Sequence, residues 1–159
     1  GALDTEARRL AGGAQALAAV RAAAGAGDAA VRDAALRALC AWPGAEALGD
    51  AARLRQVLTN LVVNAIQAMP RGGKLAVATR ADHKAVILRI EDTGEGMSPE
   101  VKKQIFLPFF TTKEADHGTG LGLAVVHGIV SGHRGTIRVE SHVGRGTRFE
   151  IRLPLPAHR

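Results

Sequence analysis

Two glycine clusters lie near the ends of the stretch from Glu91 to Val130, and they constrain the fold more than any other part of the sequence. The first, Asp92-Thr-Gly-Glu-Gly96, follows an alternating apolar run typical of a strand. The second, Gly118-Thr-Gly-Leu-Gly122, opens an apolar run typical of a helix. Glycine allows positive φ and close approach to the main chain, and a helix N-terminus suits phosphate. The pattern predicts a nucleotide pocket, with the irregular segment after Phe106 as its lid.

Neither cluster is specific alone, because each could be an ordinary turn. A Rossmann-type site needs one compact glycine motif in a strand–turn–helix unit with an acidic residue further on, and this arrangement does not match it. A P-loop is excluded as well, since no Gly-Lys-Ser/Thr occurs in the chain. The nucleotide hypothesis therefore depends on a third element upstream.

That element is a helix predicted from about Asp50 to Met69, with Asp50 as its N-cap and Pro70 as a stop. One face is apolar at helical period, and another face carries side-chain amides. Asparagine is a poor helix former, so a pair of them one turn apart needs a reason. The helix alone leaves two interpretations open, a solvated polar stripe or a row of amide oxygens aimed at Mg²⁺. The amides are Gln56, Asn60, Asn64 and Gln67.

Alternating apolar residues predict two β-hairpins, one from residues 74–80 and 85–91 and the other from residues 136–140 and 147–153. Ser98 and Pro99 predict the start of a short helix. The fold class expected is α+β, a two-layer sandwich. In it a mixed, mostly antiparallel sheet is covered on one face by about three helices.

Five segments in order resemble the conserved boxes of bacterial sensor histidine kinases. RQVLTNLVVNAIQAM resembles the N box, EDTGEGM the first glycine box, and IFLPFFTTK the F box. GTGLGLAVVHGIV resembles the second glycine box, and GRGTRFEIRLP the closing glycine-threonine strand. The likeness covers roughly residues 48–155, and the pairing of NAIQAM with PFFTTK is similar to the nitrogen-regulation subgroup.

The resemblance implies the catalytic ATP-binding domain of a two-component sensor kinase, related in fold to gyrase, mismatch-repair and heat-shock chaperone ATPases. Its cofactors would be ATP and Mg²⁺. Its partners would be a phosphoacceptor histidine domain, in cis or in trans, and the receiver domain of a response regulator. A cytoplasmic location follows from this family, whether or not the parent protein is a membrane-bound sensor.

The resemblance also implies roles for individual residues. Asp92 would accept a hydrogen bond from the adenine amino group, and Thr147 would contact adenine directly or through water. Asn64 would bind Mg²⁺ with support from Asn60, and Lys113 would contact the γ-phosphate, which makes these three the catalytic candidates. The full set expected to bind the nucleotide is Asn60, Asn64, Gln67, Ala68, Asp92, Gly94, Gly96, Met97, Thr111, Thr112, Lys113, Gly118, Thr119, Gly120, Leu121, Gly122 and Thr147.

Phe106, Phe109 and Phe110 are expected to anchor the lid by packing. Hydrolysing relatives place a glutamate one helical turn before the metal asparagine, where this chain has Asn60. Phosphoryl transfer to a histidine needs no such base on this domain, so the substitution favours a kinase. Two alternatives stay open: a non-catalytic nucleotide- or partner-binding regulatory module, and an anti-sigma-type serine kinase, which the long lid disfavours.

Residues 1–45 differ in character from the segment 46–159 that would form the ATP-binding domain. A four–three apolar alternation through Leu17 and a break at residues 24–28 predict two short helices, which resemble a degenerate or truncated dimerisation hairpin. Alternatively, part of 34–42 is an edge strand. The hairpin would support a homodimer, yet residues 1–82 contain no histidine to act as phosphoacceptor. Autophosphorylation of this chain by itself is therefore not expected.

Composition excludes several other classes of function. The net charge is +6, but the arginines are scattered and no aromatic side chains are interleaved with them, which disfavours nucleic acid. Cys40 is the single cysteine, so an internal disulfide cannot form. No apolar run reaches membrane-spanning length, so no membrane segment is expected in this sequence.

Overall fold

The computed structural model describes residues 17–24, 51–81, 84–113 and 118–155. Its strands are β1 (Leu17–Ala24), β2 (Gly73–Ala81), β3 (Ala85–Asp92), β4 (Thr136–His142) and β5 (Gly146–Pro154). Its helices are α1 (Ala51–Gln67), the single turn α2 (Pro99–Lys102) and α3 (Gly122–Gly132). Ser98 caps α2 by accepting a hydrogen bond from the Val101 N–H, as its position before Pro99 predicts.

The five strands form one sheet in the order β1-β2-β3-β5-β4, and each pair of neighbours is antiparallel. The register places Val77, Ile90, Phe149 and Val139 in one row across the sheet. Because side chains alternate between the two faces of a strand, this row and its neighbours two residues away share one inner face. In the strand order, β3 lies in the middle of the sheet and pairs with β5. β3 ends at Asp92, close to the start of β5.

Helices α1 and α3 pack on this inner face and close the core. Leu54, Leu58, Leu61 and Val62 project from α1 into a buried cluster that also contains Val126 and Val130 of α3. Such apolar burial is the main term that stabilises a two-layer fold. The predicted α+β sandwich is confirmed, although the described sheet is wholly antiparallel rather than mixed. Within the described residues, no helix has the length and apolar character needed to cross a bilayer.

The outer face of the sheet carries charged side chains, and no helix among the described residues covers it. Arg148 bonds Glu91 on one side and Glu140 on the other, and Arg89 bonds Glu150 at 2.8 Å. These pairs are solvent-exposed, so each contributes little to stability. Because positive and negative side chains alternate across this face, it stays polar, and the hydrophobic core lies on the opposite face of the sheet.

The expectation of a helix running through Leu17 is wrong for the end of that segment, because Leu17–Ala24 forms strand β1 and pairs with β2 from Leu17↔Arg80 to Ala24↔Gly73. The physical reason is tertiary: the free edge of β2 offers unpaired N–H and C=O groups, which a strand can satisfy and a helix cannot. The remaining parts of the predicted hairpin, and the alternative strand within 34–42, lie outside the described residues. The division of the chain near residue 45 and the homodimer stay predictions.

Candidate nucleotide-binding site

A cavity of about 1130 Å³ lies between α1, the end of β3, the start of β5 and the lid. Of the residues that the sequence implicates in nucleotide binding, all but Gly94 and Leu121 line it. The structure thus brings together parts of the chain that are distant in sequence. The predicted residues on its wall are Asn60, Asn64, Gln67, Ala68, Asp92, Gly96, Met97, Thr111, Thr112, Lys113, Gly118, Thr119, Gly120, Gly122 and Thr147.

Gly94 and Leu121 lie beside the cavity rather than on its wall. The Gly94 N–H donates to Asp92 Oδ1, and a Cβ at Gly94 would lie 2.4 Å from the Ala68 carbonyl oxygen. Leu121 is the N-cap residue of α3, and its side chain is partly exposed. Glycine is therefore needed at position 94 for packing, because the absence of a side chain lets the glycine loop approach the C-terminal end of α1.

Asp92 provides a buried carboxylate at one end of the cavity, with 6% of the residue exposed. Its Oδ1 accepts hydrogen bonds from the backbone N–H of Gly94 at 2.8 Å and of Thr147 at 3.3 Å. Burial raises the pKa of this carboxyl, and the two backbone hydrogen bonds oppose that shift. Since Oδ2 has no hydrogen-bond partner among the described residues, it can accept from a ligand.

The glycines near Asp92 are required by the protein's own backbone. Gly96 and Gly146 have φ of +68° and +98°, which disfavour other residues. A Cβ at Gly96 would lie 2.0 Å from the His142 carbonyl oxygen, and one at Gly146 would lie 2.0 Å from the Asp92 carbonyl oxygen. The sequence predicts that the first glycine cluster lets a ligand approach the main chain, and the structure adds close packing against the β4–β5 turn.

Two hydroxyl residues connect this turn to Asp92. Ser141 and Thr147 are cross-strand neighbours on β4 and β5, and their hydroxyl oxygens lie 2.8 Å apart. The Met97 N–H donates to Ser141 Oγ at 2.8 Å. The sequence carries no specific signal for Ser141, because a single serine near a strand end looks like an ordinary turn residue.

The polar face of α1 forms the opposite part of the wall. Asn60 Nδ2 donates to the Gly122 carbonyl oxygen at 3.1 Å and so ties α1 to the start of α3. Lys113 of the lid donates from Nζ to Asn64 Oδ1 at 3.3 Å and also to Gln67 Oε1. Asn60, Asn64 and Gln67 of the amide row therefore lie on the cavity wall, and two of them bind the Lys113 ammonium.

The same contacts show that Asn64 suits a hard cation. Its amide oxygen is the ligand type that Mg²⁺ accepts, and Lys113 places a positive charge against that oxygen. In the described part of the chain, no group of three or more His, Cys, Asp or Glu side chains could hold a metal. A metal here would therefore take few protein ligands and depend on phosphate oxygens for the rest, which fits the residues present.

Burial lowers the pKa of the Lys113 ammonium.

The lid is anchored by some of its predicted aromatic residues but not by all. Phe106 packs on the core and its ring contacts the His127 ring, with centroids 5.2 Å apart. Phe110 packs against the core and lines the cavity. Phe109 is 76% exposed, so its predicted packing role is wrong. Its backbone explains this, because φ is +66° and its N–H donates to the Gly120 carbonyl oxygen, which leaves the side chain outside.

Residues 49–157 match the family model of histidine kinase-, DNA gyrase B- and HSP90-like ATPases. The chain belongs to this family. Within it, this ATPase domain is similar to the mycobacterial sensor histidine kinase MprB, with a TM-score of 0.59 and 32% identity over 69% of this chain and 74% of that one. It is also similar to the catalytic domain of histidine kinase ThkA, with a TM-score of 0.58 and 38% identity over 67% of this chain and 68% of that one. Residues 49–157 of this chain are thus the catalytic ATP-binding domain of a histidine kinase.

Curated relatives place this ATPase domain among sensor kinases. It is 43% identical to sensor kinase CckA of Brucella abortus, over 71% of this chain and 13% of that protein. It is 46% identical to sensor histidine kinase ZraS of Escherichia coli O157:H7, over 69% of this chain and 24% of that protein. The chain therefore spans less than a quarter of the length of either relative. A structure of full-length ShkA in complex with AMPPNP aligns with a TM-score of 0.60 at 30% identity, over 69% of this chain and 23% of that one.

Some cavity residues of this ATPase domain were not predicted from sequence. Most are apolar. Ala65 and Phe149 belong to the helical and strand patterns that predict the core, whereas Pro70 is predicted as a helix stop and Phe110 as a lid anchor. One is acidic, and its position inside the first glycine cluster was the available clue. They are Val63, Ala65, Pro70, Glu95, Val101, Ile105, Phe110, Leu123 and Phe149.

Proposed function

We propose that this chain binds Mg-ATP in the cavity and transfers the γ-phosphoryl group to a histidine on another segment or another chain. The observation that carries the proposal is the separation of chemistry along one cavity. A carboxylate with a free acceptor oxygen, Asp92, lies at one end. A cation held by amide oxygens, Lys113, and a helix N-terminus, α3, lie at the other.

The Asp92 end suits the adenine base. A carboxylate oxygen on a cavity wall with no hydrogen-bond partner among the described residues favours a donor, and the exocyclic amine of adenine is one. Apolar wall residues such as Met97 and Ile105 can cover the faces of a planar ring. The free Oδ2 of Asp92 therefore supports placing the base at this end of the cavity.

The opposite end suits the phosphates. Gly120 and Gly122 lead into α3, whose N-terminal N–H groups and dipole favour anions. Lys113 adds a positive charge that can move from the amides of α1 to a phosphate oxygen, because its Nζ is held by side-chain contacts alone. Asn64 would hold Mg²⁺, which when bound neutralises charge on the transferred phosphoryl group.

The chain favours transfer over hydrolysis. One helical turn before Asn64 lies Asn60, an amide whose Nδ2 is engaged with the Gly122 carbonyl oxygen, so it offers water no base. Phosphoryl transfer by positioning and charge neutralisation requires no base from this domain. The nucleophile would be an imidazole from a phosphoacceptor domain, and the phosphoryl group would pass on to a response regulator receiver domain. A cytoplasmic location and these partners form part of the proposal.

Calorimetric titration of the chain with Mg-AMPPNP tests the binding step. The parent should bind, and Asn64→Asp and Asp92→Ala should abolish nucleotide affinity with the fold retained by circular dichroism. Gln56→Ala is a matched control, because Gln56 is an exposed amide on the same helix but is absent from the cavity wall. Absence of binding by the parent, or unchanged binding by both site variants, would refute the assignment.

The transfer step needs a second experiment. The chain is mixed with γ-labelled ATP and a histidine-bearing hairpin domain of a sensor kinase, and acid-labile label on the hairpin is measured. Label that depends on the hairpin histidine supports the kinase function. Binding without transfer to any such hairpin would instead favour the regulatory module.

A further inference from the structure

Strand β4 lies at an edge of the sheet, and in the part of the chain that the structure describes no strand pairs with its free side. On its other side it pairs with β5 over seven consecutive positions, from Thr136↔Arg152 to His142↔Gly146. Apart from this pairing, the backbone groups of residues 136–141 make no hydrogen bond with another described residue. Such an edge presents a row of N–H and C=O groups with which a further strand can pair.

Strand β4 lacks the features that usually protect an edge from such pairing, namely bulges, prolines and charges that point inward. Its register with β5 advances without a slip, so the pair contains no bulge, and β4 contains no proline. Ile137 and Val139, on the inner face, are apolar and half-buried against the core. The free side of β4 is therefore open to a second sheet.

The outer face of β4 carries one charge of each sign, two residues apart. Arg138 is exposed and makes no hydrogen bond or salt bridge with a described residue. Glu140 lies 3.3 Å from Arg148, but 68% of its side chain is exposed, so its carboxylate can accept a second guanidinium. Both charges are thus available to a partner that offers the opposite signs at the same spacing.

A second copy of β4 offers these signs when it runs antiparallel to the first. Directly opposed residues of an antiparallel pair share a face, so two copies keep their cores on one side only if odd positions oppose odd ones. One such register opposes Arg138 to Glu140 twice, places Val139 opposite its own copy, and overlaps the whole strand. The registers two residues away oppose Arg138 or Glu140 to its own copy, which is destabilising.

We propose that β4 is a homodimerisation surface, at which two copies of this chain join their sheets edge to edge and Arg138 of each copy pairs with Glu140 of the other. The contact is isologous, so a two-fold axis passes between the two copies of Val139. It also covers the exposed sides of Ile137 and Val139. This surface is distinct from residues 1–45, and neither charged residue lines the nucleotide cavity.

Sedimentation velocity of the full chain over a range of concentrations tests the contact by reversing its charges. The parent should dimerise reversibly. Arg138→Glu and Glu140→Arg each oppose like charges at two positions of the dimer, so each should weaken dimerisation about tenfold or more. An equimolar mixture of the two variants again opposes unlike charges, so it should regain the association of the parent as a heterodimer. Arg80→Glu, at an exposed arginine of β2 away from this edge, is the matched control and should dimerise as the parent does.

A parent that stays monomeric at every concentration would overturn the proposal. Dimers that neither charge reversal weakens would overturn it as well, because they would use another surface. Circular dichroism establishes that each variant keeps the fold of the parent. Titration with Mg-AMPPNP decides the proposed function separately, since neither reversed residue lies on the cavity wall.

Cysteine cross-linking tests the register without depending on charge. Position 138 of one copy lies directly opposite position 140 of the other, at a separation of about 4.5–5.5 Å between Cα atoms, which a disulfide can bridge. Arg138→Cys and Glu140→Cys, each combined with Cys40→Ser, should cross-link when mixed and oxidised, and far less when either is oxidised alone. Equal cross-linking in all three samples, or none in the mixture, would overturn the proposal.

Discussion

The two ends of the cavity are built in different ways. At the base end, Asp92, Ser141 and Thr147 are buried and joined to one another and to the backbone by hydrogen bonds. At the phosphate end, Thr111 and Thr112 are exposed, and Lys113 is held by two flexible amide side chains. The proposed base end is thus preorganised by the sheet, while the proposed phosphate end consists of exposed hydroxyls and side-chain contacts that a charged ligand can replace. Substitutions at the first end should therefore change ligand affinity, stability or both, whereas those at the second end should change ligand affinity alone.

The largest effect is expected at Gly146. Alanine there combines a φ of +98° with a Cβ 2.0 Å from the Asp92 carbonyl oxygen, so the free energy of unfolding should fall by about 3 kcal/mol or more. Gly144→Ala in the same turn has φ +77° but open space, and should cost about 1 kcal/mol. At Gly118 in the lid, a Cβ would meet the movable Thr111 side chain at 2.9 Å, so alanine should cost less than about 1 kcal/mol. Urea unfolding measures the free energy of unfolding of all three variants. Equal losses at Gly146 and Gly118 would contradict the difference described between the two ends of the cavity.

Asp92→Asn should separate binding from stability. The amide oxygen can keep both backbone hydrogen bonds, but an N–H donor would replace the free acceptor, and ATP affinity should fall about 100-fold in calorimetry. Because burial raises the pKa of Asp92 in the folded state, the carboxyl favours folding when protonated and loses that contribution as the pH rises through its folded pKa. The variant without nucleotide should therefore be at least as stable as the parent at pH 7, with an advantage that shrinks on acidification. A variant less stable at pH 7 would contradict this.

Lys113→Met should weaken Mg-ATP binding about tenfold, the loss expected for one charge-assisted hydrogen bond, and change the melting temperature little. Since burial lowers the pKa of Lys113, its contribution to binding should vanish at a lower pH than an ordinary lysine would allow. Titrations between pH 7 and pH 10 measure this. Lys103→Met, at an exposed lysine absent from the cavity wall, is the matched control. Equal losses of Mg-ATP affinity in the two variants would show that Lys113 does not contact the nucleotide.

Thr79→Val should give the smallest effect, and it should stabilise. Thr79 is 1% exposed on the inner face, and its hydroxyl has no hydrogen-bond partner in the part of the chain that the structure describes. Removing that unpaired group should raise the free energy of unfolding by about 1 kcal/mol. Thr147→Val, which removes a paired hydroxyl of similar burial, should lower it by a similar amount. Urea unfolding of both variants tests whether the hydrogen bonds at the base end stabilise the fold.

Much of this organisation could be predicted from sequence because its signals are local. The helical period of α1, the alternation of the hairpins and the Ser-Pro start of α2 each lie within a short window. The convergence of Asn64, Asp92 and Lys113 came from the resemblance of whole motifs. No local pattern places residues 28 or 49 positions apart in one cavity.

What sequence could not predict depends on neighbours that are distant in the chain. Leu17–Ala24 is alanine-rich and locally suits a helix, but the free edge of β2 pairs with it as a strand. Ser141 acquires its importance from Met97 and Thr147, which only the sheet register brings to it. Phe109 looked like an anchor because aromatic residues are usually buried, yet its positive φ turns its side chain outward.

The hydrogen bond between the Phe109 N–H and the Gly120 carbonyl oxygen, at 2.8 Å, joins the two ends of the lid at a narrow neck. The chain leaves and returns through this contact, so the two ends of the segment between Phe109 and Gly120 are already held together. The entropy of closing such a segment grows only slowly with its length. Lids could therefore be shortened, lengthened or exchanged at this junction without altering the spacing of the core elements. The lid can therefore change in length and sequence during evolution while the sheet and helices that form the cavity stay the same.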